Sequence, residues 1–198
     1  MKARSALTAF PLFITLTTGC SMAHSDPHNP AKNPHPVKRY EVIATSHAPG
    51  PWDSIEGYIY YDIINTKCVP MKPFVGEQDV PDTRVDISMI RVDDHTWKGY
   101  FYRDAFQDED YYKLGVCHWD AMNAGVSAMR QGVRFNWVGM LDELLRGSTE
   151  RRYFKKSVYG DLSFVPYGAP DLDPADDEVL QHPDAYFPVT IAVKEAMP

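Results

Sequence analysis

Short runs of β-branched and aromatic residues, broken by proline, glycine or acidic turns about every ten positions, constrain this 198-residue chain more than any other feature. Tyr40–Thr45 and Tyr58–Ile64 read as strands, the first closed by Ala48-Pro49-Gly50-Pro51. Arg84–Met89 alternates so that Val85, Ile87 and Met89 share one face. Asp93–Thr96 then turns the chain into Trp97–Arg103, and the two runs make a hairpin. Leu114–Trp119, Val126–Arg130, Gly132–Val138, Arg151–Val158 and Phe187–Val193 continue the series. Leu141–Arg146 is the one helical stretch, with Gly147 as its stop signal. Many short strands and little helix specify a mainly β fold, an antiparallel β-sandwich with one short helix near residues 140–146. A small barrel is the runner-up.

The first twenty residues obey different rules. Lys2 and Arg4 make a positive start, Ala6–Thr18 is mostly apolar, and Thr17-Thr18-Gly19-Cys20 runs small residues into a cysteine. That is the plan of a removable secretory signal, and the apolar centre falls short of the ~20 residues needed to span a bilayer. Leu16-Thr17-Thr18-Gly19-Cys20 resembles the lipobox of bacterial lipoproteins, although Leu16 lies four positions before the cysteine and Thr17 holds the place where leucine is usual. The resemblance implies cleavage before Cys20, acylation of that cysteine and firm anchorage, because more than one acyl chain holds a protein stably to a membrane. Ser21 after the cysteine implies, by analogy with enteric bacteria, outer-membrane sorting facing the periplasm. An ordinary secreted protein cut near Ala23 is the competing reading.

The resemblance also bears on the remaining cysteines. With Cys20 assigned to lipid, Cys68 and Cys117 are an even pair in an oxidising compartment and read as a disulfide. Closing a loop of roughly fifty residues would stabilise the fold by about 4 kcal/mol. The alternative is a reactive or metal-binding cysteine. Adjacent strand residues point to opposite faces, which works against Cys117 and His118 sharing an ion.

Three parts follow. Residues 1–19 are the signal peptide, and residues 20–38 are a lipidated cysteine with a flexible tether. Residues 39–198 form one β-sandwich domain. The tether reading rests on four prolines and three histidines (His24, His28 and His35) with almost no large apolar group in Ser21–Lys38.

Removal of the signal leaves 18 basic against 27 acidic residues, a poor balance for nucleic acid, and none is expected as a partner. Two acidic clusters stand out: Asp104, Asp108, Glu109 and Asp110 beside Tyr111 and Tyr112, and Asp171, Asp173, Asp176, Asp177 and Glu178. Neither has the glycine and terminal glutamate of a calcium loop, so no metal and no other cofactor is expected. His118 and Asp120 lie two apart on a strand, as a base and its orienting carboxylate would. No G-x-S-x-G elbow or activated cysteine accompanies them, and the expectation is a protein that is not an enzyme.

Tyrosine joins apolar area to a polar tip and favours interfaces, so Asp104, Asp108, Glu109, Asp110, Tyr111 and Tyr112 form a candidate protein-binding surface. In address and architecture the chain looks like envelope immunity lipoproteins and periplasmic inhibitors of lytic enzymes. That resemblance implies binding to an envelope-acting effector or lytic enzyme of unknown identity. A structural or assembly lipoprotein of the envelope or of a secretion system is the alternative.

Overall fold

The computed structural model describes residues 26–163 and 168–197; the signal, Cys20 and His24 lie outside the described residues. Among the described residues nine strands form two antiparallel sheets. They are β1 (Arg39–Ser46), β2 (Ser54–Ile63), β3 (Asp82–Ser88), β4 (Ile90–Arg91), β5 (Thr96–Tyr102), β6 (Trp119–Arg130), β7 (Val133–Met140), β8 (Glu150–Lys155) and β9 (Tyr186–Glu195). One sheet has the order β4-β5-β1-β9-β8 and the other β3-β2-β6-β7. The chain changes sheet after β1, β3, β5 and β7, so its connections wrap both ends of a sandwich. The expected β-sandwich is therefore the observed fold.

Alternation explains the core. On β1, Val42 and Ala44 are fully buried, and on β7, Phe135 and Trp137 fill the same layer. Phe154 from β8 and Phe187, Val189 and Ile191 from β9 complete it. The Trp137 indole donates to the Thr190 carbonyl at 3.1 Å, which joins the two sheets through a buried polar contact. The β6–β7 turn is Gln131-Gly132, with φ of 48° and 82°. Two left-handed residues in a two-residue turn match the twist of the flanking strands, and glycine adopts that region freely.

Several local expectations are corrected. Arg84–Met89 does not pair with Trp97–Arg103: β3 pairs with β2, and only Ile90–Arg91 beyond it forms the hairpin with β5. A single residue, Met89, separates strands of opposite sheets, a break that alternation cannot reveal. Leu114–His118 is not strand. The Asp110 carboxylate accepts from the amides of Leu114 and Gly115, and the Asn65 side chain donates to Val116 O and accepts from His118 N. Side chains thus satisfy the backbone that a neighbouring strand would otherwise satisfy. The helix near 140–146 is present as α1 (Leu141–Leu145), and two further short helices occur, α2 (Lys156–Gly160) and α3 (Asp177–Gln181).

The end of the segment read as a tether is docked. Asn33 N donates to Ala105 O, Gln107 N donates to Ala31 O, and Pro30 is buried. The Asp104 carboxylate accepts from the amides of Val37 and Lys38, both at 2.9 Å. Proline-rich backbone with few apolar groups is held here mainly by hydrogen bonds, with Pro30 as its buried anchor. This was not legible from composition.

Candidate functional site

The sandwich has two dissimilar ends. Arg39 pairs with Tyr102 at one and Thr45 with Thr96 at the other, so β1 runs from the docked N-terminal segment to the β4–β5 turn. The disulfide between Cys68 and Cys117 lies at the first end, where Ile63 pairs with Trp119. Cys117 and Trp119 are buried and Val116 and His118 exposed, as alternation in that stretch implies.

The acidic, aromatic surface lies at this end, and its polar groups are engaged within the loop. Asp104 caps the N-terminal segment. Asp108 faces His118 Nδ1 at 2.7 Å and accepts from Trp119 N at 3.0 Å. Asp110 caps Leu114 and Gly115, and the Glu109 backbone pairs with Cys117 in both directions. The Tyr111 hydroxyl accepts from the Trp119 indole at 2.9 Å. Tyr112 packs against the core, and burial raises its pKa, with Asp79 and Asp26 adding to the rise. Most of these side chains organise the loop, which differs from a set of free contacts for a partner.

His118 and Asp120 are not a pair. Asp120 is gripped bidentately by Arg103, with both contacts at 2.7 Å, and Arg103 also reaches Asp142 at 3.2 Å. This clamp ties the end of β5 to β6 and α1, across the two sheets. In the second acidic cluster Arg152 lies among Glu150, Asp171 and Asp173, at 2.8, 3.6 and 3.5 Å. Asp176 caps α3 through Glu178 N, and Glu178 accepts from the Tyr186 hydroxyl, whose pKa that bond pushes up to about 12. Among the described residues no three His, Cys, Asp or Glu side chains converge as a metal site.

The opposite end carries an open cleft of about 580 Å³ between the β1–β2 loop, the β3–β4 crossing and the β4–β5 turn. Trp52 and Trp97 line it, with Met89 and Ile55 between and Arg91, Asp94 and His95 at the rim. Its walls are braced from behind. The Trp52 indole donates to Ser46 Oγ at 3.1 Å, and its ring meets Phe135 and Tyr159 edge-on at 4.9 and 5.1 Å. The Tyr159 hydroxyl donates to Pro51 O at 2.6 Å and accepts from Arg130, whose guanidinium covers the same ring.

No family model, curated protein or solved structure matches this chain.

The chemistry of the cleft must therefore be read from its own atoms. His95 Nδ1 lies 3.0 Å from the Ser46 carbonyl. A carbonyl only accepts, so Nδ1 carries the proton and, in the neutral ring, Nε2 is left as an acceptor. His47 stacks on His95 at 4.9 Å. Arg91 is clipped to its own turn, donating to Asp94 at 2.8 Å and to Asp93 O at 3.0 Å. The Asp93 carboxyl is held below the usual range by the His95 amide it accepts from. Beside the cleft, Ile90 and Val92 are 65% and 55% exposed on the edge of the five-stranded sheet. Aromatic walls, a polar rim and an uncovered apolar edge suit the capture of an amphipathic surface. Sequence reasoning missed this site. Its signals, Pro49-Gly50-Pro51-Trp52 and Asp93-Asp94-His95-Thr96, read only as turns until the sandwich brings them together.

Proposed function

We propose that this chain is an envelope lipoprotein, anchored through acyl chains on Cys20 at the periplasmic face of the outer membrane, that works by binding a protein. The best reading is an immunity or inhibitor protein against an envelope-acting effector or lytic enzyme. The observation that carries the binding role is the braced cleft beside exposed Ile90 and Val92, at the end remote from the N-terminal segment. A protein tethered through its N-terminus presents that end outward, where a soluble effector arrives. The lipobox-like Leu16–Cys20 supports the anchor.

The test is deletion followed by challenge. Cells lacking the protein should lose protection against the producer's secreted effectors or show unrestrained wall lysis. A copy carrying Trp97→Ala and Ile90→Asp should fail to restore protection while accumulating normally. Deletion that leaves protection and lysis unchanged but impairs secretion or envelope integrity would replace this reading with the assembly role.

A further inference from the structure

The disulfide end is capped by apolar side chains that none of the described residues covers. Ile64, Met71, Phe74, Val75, Leu114 and Val116 are between 46% and 108% exposed, Phe74 most of all. They sit on two loops bound into one platform by the Cys68–Cys117 bridge and by the Asn65 side chain, which holds Val116 and His118. Phe74 is at the tip of a hairpin closed by Lys72 N donating to Glu77 O at 2.7 Å. Gln78 braces its base, donating to Thr66 O and Val69 O at 2.8 and 2.6 Å. Phe74 holds φ of 72°, a region an aromatic residue rarely adopts, so the ring is presented outward at a cost to the backbone. Six exposed apolar side chains gathered on two bridged loops mark a contact site rather than scattered surface residues.

The course of the chain says what covers it. The described residues begin at Asp26, and the segment that follows is hydrogen-bonded along the β5–β6 connection, through Ala31 to Gln107 and Asn33 to Ala105, so the chain enters the fold at this end; Asp26 also adds to the rise of the Tyr112 pKa. Six peptide units separate Asp26 from Cys20. Fully extended they reach about 21 Å, less than the roughly 33 Å length of a ten-residue strand. A bilayer holding the lipids of Cys20 thus lies nearer this end than the cleft.

We infer that the Phe74 hairpin and the Leu114–Val116 loop insert their apolar side chains into the lipid interface as a second membrane contact, which rests on Cys20 being acylated. Lys67, Lys72 and Lys113 beside the cap can lay their methylenes along it and reach the headgroups. Glu77, Asp79 and Asp110 offset that charge, so the contact is apolar and needs no anionic lipid. Two contacts fix orientation where one tether would not, and the cleft is then held facing away from the membrane.

The test uses the full lipidated protein in phosphatidylcholine vesicles, with Phe74→Trp or Val75→Trp as the probe and Val92→Trp as the distal control. Mass spectrometry first establishes acylation of Cys20; its absence would remove the anchor and the inference with it. With acylation present, lipid brominated near the headgroup should quench the added tryptophan at least about twofold at 74 or 75 and leave that at 92 unchanged, after subtraction of the four native tryptophans. Equal quenching at all three positions overturns the inference while leaving the anchor intact. So does a probe at 74 that stays open to aqueous acrylamide on vesicles and is shielded only in native envelopes, which would assign the cap to a protein.

Discussion

Reducing the bond between Cys68 and Cys117 should weaken the fold by about 4 kcal/mol, through the unfolded chain. The two residues are 49 apart in sequence. Joining them removes about 14 cal/mol/K from the denatured ensemble in the chain-entropy treatment, which gives that figure at 25 °C. The folded state has reason to survive reduction almost unchanged. The same loops are also joined by Asn65 to Val116 and His118 and by Ile64 N donating to His118 O. Both sulfurs are buried, so the free thiols stay where they are. Replacing both cysteines by alanine should cost about 1 kcal/mol more per site, from lost packing. Urea unfolding of oxidised and reduced protein, followed by tryptophan fluorescence, measures the difference. The m-value should rise on reduction because the freed chain expands, and Tm should fall by roughly 8–16 °C. A loss below about 1 kcal/mol with unchanged m-value would refute the reasoning, since it would mean that the denatured chain is not constrained by this link.

Two further outcomes follow from particular contacts. A methyl group on Gly125 would lie 2.2 Å from Tyr58, the residue directly opposite on β2, so Gly125→Ala should destabilise by about 1–3 kcal/mol in urea unfolding, and Tyr58→Ala in the same chain should recover part of that loss. Burial works to raise the pKa of Glu41, but hydrogen bonds from Lys194, Tyr100 and Lys98 outweigh it and hold the carboxyl below its ordinary value. Its contribution is therefore fully present above the unfolded glutamate pKa and lost as pH falls through the folded one. Glu41→Gln should cost about 1.5 kcal/mol at pH 7, and this gap should close in unfolding curves taken below about pH 4; a constant gap would show that the charge does not contribute.

The arrangement divides the molecule by role. One end carries the N-terminal segment, the disulfide and the apolar cap, and the other carries the cleft. The Arg103–Asp120 clamp holds the sheets together at the first end, and Tyr159 and Arg130 brace the loop at the second. Each end is thus stiffened by contacts among its own residues.

Strand content and the sandwich were legible from the sequence because alternation is local: Val42, Ala44, Phe135 and Trp137 declare which face is buried without reference to any distant residue. The α1 segment was legible from an equally local signal, the Gly147 stop after Leu141–Arg146. The pairing of Cys68 with Cys117 followed from there being two cysteines left once Cys20 is set aside. What local pattern could not supply was which strand pairs with which. Arg84–Met89 has the same alternation whether it joins Trp97–Arg103 or β2, and only the sheet decides for β2. Nor could it show that Asp108 and Asp110 cap backbone rather than await a partner. The cleft depends most on tertiary structure, since β2, β3 and β4 separate Trp52 from Trp97 in sequence, and the two line one cleft only because β5 begins where β1 ends. Burial is a property of single residues and their near neighbours, and so the sequence by itself determined the sandwich. A site is a property of residues that loop closure brings together, and only the folded sandwich decided where it lies.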